Sequence, residues 1–459
     1  MPRHRTPLIV PSEVQTREFD AKLLLACLAT ERGFDSIVGC RTDIHLHIAD
    51  LPRGIYLAKD VRFSSRRMFG ILSKLGSPIV ALDEEAPFFY SREFYLQARV
   101  SEPVLHETEA LFAWGPENAE AWRHCPYYHG APVHETGNPR VDMMRPELRR
   151  FFDAEVDALR DRLGRYILIN TNFGSLNHFF PNLSTLLPPD MTGDAPRDAD
   201  DVFKAGLAAH RHTIFRAFLE LLPRLCRAFP DRLIVVRPHP AENHDTWRQA
   251  GAGCDNLRVI HEGNVIPWLV AADAVIHNSC TTGFEAYLVG APVIAFQPAV
   301  SDRFDLRLPN ELSHRVHDAE AVIGAARAAT EGHLAAEAAE QLRRHRLAEQ
   351  HVAALDGRLA SERIVDLLDR FEASAHLARP GLATRLAGHL AALVRRKNKQ
   401  RNEATPGHKN NVDYTRHRFP GIELDEVNLR IERLRGILGR FPRARARQLG
   451  ENIFEVTAA

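Results

Sequence analysis

The chain predicts an α/β fold made of two successive open parallel sheets, each with helices on both faces, followed by a helical C-terminal extension. Three observations predict it. Short apolar, β-branched runs alternate with amphipathic helical patterns from Pro7 to Phe296, as parallel sheets with crossover helices require. Polar turns rich in Gly, Pro, Asn and Thr follow those runs. Thr136-Gly137-Asn138-Pro139-Arg140 interrupts the pattern once, so it divides into a first domain, 1–145, and a second, 146–375, with a helical and basic tail over 376–459.

In the first domain, strands are expected at Pro7–Val10, Asp35–Val38, Ile55–Ala58, Pro78–Leu82 and Leu111–Trp114, with helices around Asp20–Glu31 and Ser64–Leu75. A charged helix over Pro146–Leu163 leads into the second domain. There Tyr166–Asn170 is a strand, followed by the polar turn Thr171–Ser175. Leu186–Asp201 is rich in Pro and Asp without periodicity and reads as a loop, either a plain insertion or a lid. A long helix, His210–Phe229, precedes the strand Leu233–Arg237, and another short strand forms around Val259. Ile266–Ala272 is a short helix. Ala274–Phe296 then reads as strand, small-residue turn, helix and strand. Beyond Asp318 the chain is helical through Phe371, and a basic run stands at Arg395–Arg401.

Composition excludes several classes. Basic and acidic residues balance at 59 each, so a nucleic-acid polycation is not indicated and no nucleic-acid partner is expected. The six cysteines are scattered without CxxC or CxH spacing, which argues against a zinc site or disulfide scaffold and for a reducing compartment. The basic N-terminus with its short apolar run is not expected to act as a signal peptide, and no apolar run is long enough to predict a bilayer span. The expected location is the cytoplasm, including the cytoplasmic face of the inner membrane, where the basic run would make peripheral contact. A solvated face or linker is the competing reading of that run.

Candidate chemistry collects after strands. Asn278, Ser279, Thr281, Thr282 and Gly283 open a helix directly after a buried strand, where N–H donors and the helix dipole favour a phosphate. Glu285, one turn on, is placed to accept from ribose hydroxyls. Helix capping by Ser279, Thr281 and Thr282 is the plainer alternative. His239 follows the strand ending at Arg237 and is stiffened by Pro238 and Pro240. An imidazole and helix N–H donors there would stabilise the charge of a departing nucleotide phosphate. Asp83-Glu84-Glu85 follows a strand of the first domain. Such crowding is expected to raise one carboxyl pKa, suiting a general base or nucleophile; solvated turn charges are the alternative. Glu13, Asn138, Arg140 and Asn172 are possible substrate contacts, with Arg17, Asp20, Lys59 and Asp60 as weaker ones. The cleft between the domains is the expected active site. No metal is expected, since no DxD motif stands where a donor phosphate would need one.

Asp83-Glu84-Glu85-Ala86, His239-Pro240 and Ser279 with Thr281 and Thr282 together resemble the motifs of GT-B glycosyltransferases that use CMP-activated ulosonic acids, the sialyl- and Kdo-transferase kind. TGNPRVD at 136–142, RPHPAEN at 237–243 and HNSCTTGFEA at 277–286 make the chain similar to bacterial surface carbohydrate biosynthesis proteins. The resemblance implies a GT-B-like pair of Rossmann-like domains facing a cleft. It also implies a nucleotide-sugar donor whose phosphate is held by His239 and the Asn278–Gly283 turn, a glycan or lipid-linked glycan acceptor served by the acidic motif, and no cofactor; Arg237, beside His239, is expected to join in phosphate binding. Ala86 replaces the Gly of the pattern, and Cys280 interrupts the serine pair. A CDP-polyol phosphotransferase or a UDP-sugar epimerase on the same fold, and a non-catalytic scaffold for envelope-glycan assembly, stay open as alternatives.

Overall fold

The computed structural model describes residues 6–186, 199–374, 379–405 and 411–458. It has two compact units, Met1–Phe151 with Glu349–Ala459, and Phe152–Ala348. The α/β class, the two parallel sheets and a largely helical C-terminal region are all present. Most of the segment expected as a loop, 187–198, lies outside the described residues.

The first unit opens with β1 (Leu8–Ser12), β2 (Ser36–Cys40), β3 (Ile55–Ala58), β4 (Ile79–Ala81), β5 (Ala110–Ala113) and β6 (Val133–Glu135), all parallel in the order β2-β1-β3-β4-β5-β6. β1 through β5 are buried along their whole length, the run pattern of strands covered on both faces. Successive strands leave β1 toward β2 and leave β3 toward β4, so the topological switch point lies between β1 and β3, at whose carboxyl ends ligand crevices form in such sheets.

The second unit contains β7 (Tyr166–Asn170), β8 (Leu233–Arg237), β9 (Leu257–Val259), β10 (Ala274–His277), β11 (Val293–Phe296) and β12 (His314–Val316), parallel in the order β12-β11-β10-β7-β8-β9. Its switch point lies between β7 and β10, which pair with Val275 opposite Leu168. Ile214, Phe218, Leu221, Leu222 and Leu225 of the helix Ala199–Ala228 are buried against sheet residues Ile167, Ile169, Ile234, Val236 and Ile276. They fall on one face at helical spacing, which holds the helix to the sheet.

The C-terminal region belongs to the first unit rather than forming a separate tail, and the segment 349–375 goes with it. Buried polar contacts hold it there. Asp142 accepts from Ala360 N at 2.8 Å, Ser361 N at 2.8 Å and Ser361 Oγ at 2.7 Å, and Arg145 donates to the carbonyls of Ala354 and Gly357. The chain then ends in an antiparallel hairpin, β13 (Ala444–Gly450) and β14 (Ile453–Ala458), whose second strand pairs with β2. The expected helical tail therefore ends in two strands. Their Ala-Arg-Ala-Arg alternation gives β13 the buried-exposed period of a strand with one covered face.

Candidate functional site

In the second unit the carboxyl ends of β7, β8 and β10 are tied together by side chains. Glu242, four residues past Pro238, is buried, and its Oε1 accepts from Thr171 Oγ1 at 2.7 Å, Phe173 N at 3.0 Å and His239 N at 3.0 Å. Its Oε2 accepts from Trp247 Nε1 at 2.9 Å. Burial raises the Glu242 carboxyl above its ordinary range against those four donors. One carboxylate thus fixes the turn after β7 and the turn after β8.

His239 is exposed on that turn. Its Nδ1 accepts from Ala241 N at 3.2 Å, which places the proton of the neutral ring on Nε2 and makes Nε2 a donor in either charge state. Gly174 packs beside it, since a Cβ there would lie 3.4 Å from His239 Nδ1 and 3.2 Å from Ala241 Cβ. Across the switch point, Asn172 Nδ2 donates to Ser279 O at 2.7 Å. Arg211, from the long helix, donates to the carbonyl of Asn172 and to its Oδ1 at 3.0 Å, and lies over the Phe173 ring.

The anion turn after β10 divides into two kinds of residue. Asn278 is buried and donates to Phe296 O at 2.7 Å. Ser279 is buried at φ 43°, a left-handed backbone uncommon outside Gly, Asn and Asp. Ser279 N donates to Asn310 Oδ1 at 2.8 Å, and its Oγ accepts from Asn310 Nδ2 at 3.0 Å and Leu306 N at 3.3 Å. Its hydroxyl is therefore spent inside the protein. Gly283 is a packing glycine, because a Cβ would come within 2.3 Å of the His277 ring. Thr281 and Thr282 are half-buried at the start of the helix Thr281–Leu288, whose N-cap is Cys280 with no side-chain cap bond. Capping by Ser279 is not what the turn is built for.

Arg237 and Glu285 are buried. The Arg237 guanidinium donates to the carbonyls of Glu262 at 2.7 Å and Gly263 at 2.8 Å, and burial lowers it to about 10 even with Glu262 and Glu285 close by. Arg237, at the end of β8, therefore braces the turn after β9 rather than presenting its charge. Asn170 Nδ2, at the carboxyl end of β7, and Arg211 Nε are buried without a hydrogen-bond partner among the described residues. Buried donors of this kind are uncommon in native structures.

In the first unit, Glu13 at the end of β1 pairs with Lys59 at the end of β3, across the switch point, and with Arg418; Arg41 is 3.4 Å away. Burial would raise its carboxyl, but Lys59 and Arg41 bring it down to about 2. The acidic triplet behaves unlike the sequence expectation of a raised carboxyl. Asp83 is held by Arg99, with Nε 2.8 Å from Oδ2, and by Tyr95 at 3.2 Å. Glu84 pairs with buried Lys22 and accepts from Asn138 Nδ2 at 3.1 Å, while Arg140 donates to its carbonyl at 3.3 Å. Glu85 pairs with Arg17 at 2.5 Å. Burial acts to raise Glu84 and Glu85, yet Lys22 and Arg140 hold the first below its ordinary value, and Arg17 with Arg140 brings the second to about 2. The acids point at cations from other elements instead of at one another. Asp83 and Glu84 are fully covered; Glu85 keeps part of its surface exposed.

Among the described residues no group of three or more His, Cys, Asp or Glu side chains is arranged to hold a metal ion. No family model matches the chain, and no curated protein sequence matches it. Solved structures similar to it include the wall teichoic acid polymerase TagF, at 11% identity over 81% of this chain and 90% of that one with a TM-score of 0.47. The UDP-GlcNAc 2-epimerase from Neisseria meningitidis bound to UDP-GlcNAc is 12% identical over 80% of this chain and 99% of that one, with a TM-score of 0.47. The MnaA–UDP structure from S. aureus is 14% identical over 80% and 96%, with a TM-score of 0.45.

Proposed function

We propose that this protein is a nucleotide-sugar-dependent glycosyltransferase of the GT-B type, acting in the bacterial cytoplasm on a glycan acceptor of the envelope. The observation that carries the proposal is the crevice of the second unit. There the buried donors of Asn170 and Arg211 stand without partners beside a helix that starts without a side-chain cap. Such a constellation suits an anionic ligand at the carboxyl edge of a parallel sheet. The exposed His239, with its Nε2 a donor, supplies hydrogen-bonding or cationic character for the charge that builds on a departing nucleotide phosphate. Thr281 and Thr282 with the first N–H groups of their helix bind the phosphate in this reading, and Glu285 lies one turn behind them. Asn278, Ser279 and Gly283 shape the turn, Asn172 bridges it, and Arg237 braces the turn after β9.

A CMP-linked ulosonic acid is the donor we assign, on the resemblance of the His-Pro and Ser/Thr motifs. Of the acidic triplet, Glu85 with Arg17 is assigned to acceptor contact, because it alone of the three retains exposure; Asp83, Glu84, Asn138 and Arg140 support it, and Glu13 holds the switch point of the first unit. A carboxylate near pKa 2 is a weak base, so Glu85 positions the acceptor hydroxyl by accepting its hydrogen bond. The test is release of CMP from a CMP-ulosonic acid by wild type and His239→Ala. The variant is expected to lose about a hundredfold in turnover while melting at the same temperature, as when one charge-stabilising donor is removed. Unchanged turnover in the folded variant removes His239 from the reaction, and release of CMP from CDP-glycerol instead, with glycerol phosphate passing to an acceptor hydroxyl, would assign the polyol-phosphate reaction.

A further inference from the structure

The helix Leu382–Arg401 is amphipathic in the inverse of the usual sense. It crosses the helix Arg66–Leu75 through its small residues: Gly388 and Ala392 are buried, and a Cβ on Gly388 would lie 3.0 Å from Lys74 Cβ and 3.2 Å from Leu75 N. Its large apolar side chains face outward instead. Leu382, Leu386, Leu390 and Val394 recur every fourth residue and are 70%, 60%, 63% and 51% exposed. A contiguous exposed stripe of this kind marks an interaction surface rather than a scatter of single leucines.

The later half of the stripe, Leu390 and Val394, lines a cavity of about 1160 Å³ contained within the first unit. The lining is also cationic, with Arg41, Arg66, Arg67 and Lys74 and, from the helix itself, Arg395 and Lys399. Among the described residues Glu13 is the one carboxylate in the lining, and Lys59 and Arg418 already engage it. The cations crowd one another: burial, then Arg395 and Arg41, brings Lys399 down to about 8, and burial brings Arg395 down to about 10. An anion entering the cavity relieves that repulsion. A soluble anion would leave the leucines in water, whereas an anionic amphiphile satisfies both features at once. No helix among the described residues is long and apolar enough to cross a membrane, so the contact is interfacial.

We infer that the first unit docks on an anionic phospholipid surface, with the leucine stripe of Leu382–Arg401 at the acyl boundary and a headgroup phosphate in the cationic cavity. The inference is independent of the nucleotide site. It is tested by floating the full chain with phosphatidylcholine vesicles, with and without phosphatidylglycerol. Flotation is expected only with phosphatidylglycerol, and is expected to weaken as salt rises. Leu386→Glu with Leu390→Glu should abolish it, and Arg66→Gln with Arg67→Gln should weaken it about tenfold; all these side chains lie at the surface or the cavity, and thermal melting confirms that the variants fold. Absence of flotation, equal flotation with neutral vesicles, or a stripe variant that floats like wild type overturns the inference. So does stabilisation by inorganic phosphate without flotation. A concentration-dependent dimer that the stripe variant abolishes, in a chain that does not float, assigns the stripe to a second copy and overturns it as well.

Discussion

Glu242 shows how a single buried side chain sets the geometry of the second unit's crevice. Four donors from three segments converge on it, so Glu242→Ala leaves them unpaired in the interior. A loss of about 3 kcal/mol in urea unfolding is expected, with weaker nucleotide binding than any surface variant. Gly283→Ala puts a methyl into the His277 ring. His277 is buried, held neutral with its pKa down at about 3, and bonded through Nε2 to Ser313, so it cannot swing clear. The expected cost is about 1–3 kcal/mol in the same measurement. At this scale the sequence shows which residues follow strands, and hence that His239, Asn172 and Thr281 stand at a sheet edge. It does not show that Ser279 turns inward, because its partners Leu306 and Asn310 come from the start and body of the later helix Arg307–Glu311. Arg211 leaves no signal either: it is one of several charged residues on a long helix, and only the fold brings it to Asn172.

At the scale of elements, the helix Gln15–Thr30 begins five residues before the apolar pattern announces it. The reason is that its first turns bury charges rather than leucines. Lys22 meets Glu84, Arg17 meets Glu85 and Asp20 meets Arg430, contacts that hydrophobic periodicity cannot register. These pairs set an acid response. Glu13 and Glu85 both stand at about 2 in the folded chain against an ordinary value of 4.5. Their folded values are depressed, so their stabilisation is present above about pH 4.5 and drains away as pH falls toward 2. For Glu13 this amounts to about 2–3 kcal/mol, and urea unfolding followed between pH 6 and pH 3 should show stability falling as acid is added, with Glu13→Gln flattening the curve. Asp142 carries the opposite sign: burial raises it to about 6, so its contribution is fully present below about pH 4 and is lost as pH rises through about 6. The hairpin of β13 and β14 was legible in principle from its alternation, but the preceding basic helix pattern masked it.

For the whole molecule, the two-sheet α/β organisation is readable from alternation alone, because buried parallel strands are continuous apolar runs and the turns after them are polar. The discontinuity of the first unit is not readable. Contacts such as Asp142 with Ser361 and Trp114 with Ala353 join residues far apart in sequence, and no local pattern encodes a return of that length. Both sheets place a bridging contact at the switch point, Glu13 with Lys59 in one and Asn172 with Ser279 in the other. The first is filled by paired charges, and the second carries the exposed His239 imidazole and a helix start without a side-chain cap. On that contrast we propose that the nucleotide binds in the second unit. The most direct test is a thermal-shift titration of the full chain with CMP, CDP, UDP and GDP, since a ligand that binds the native state raises apparent stability by mass action. Selective stabilisation by CMP, lost in Glu242→Ala and weakened in His239→Ala, is the predicted result. No response to any of the four nucleotides would contradict the account.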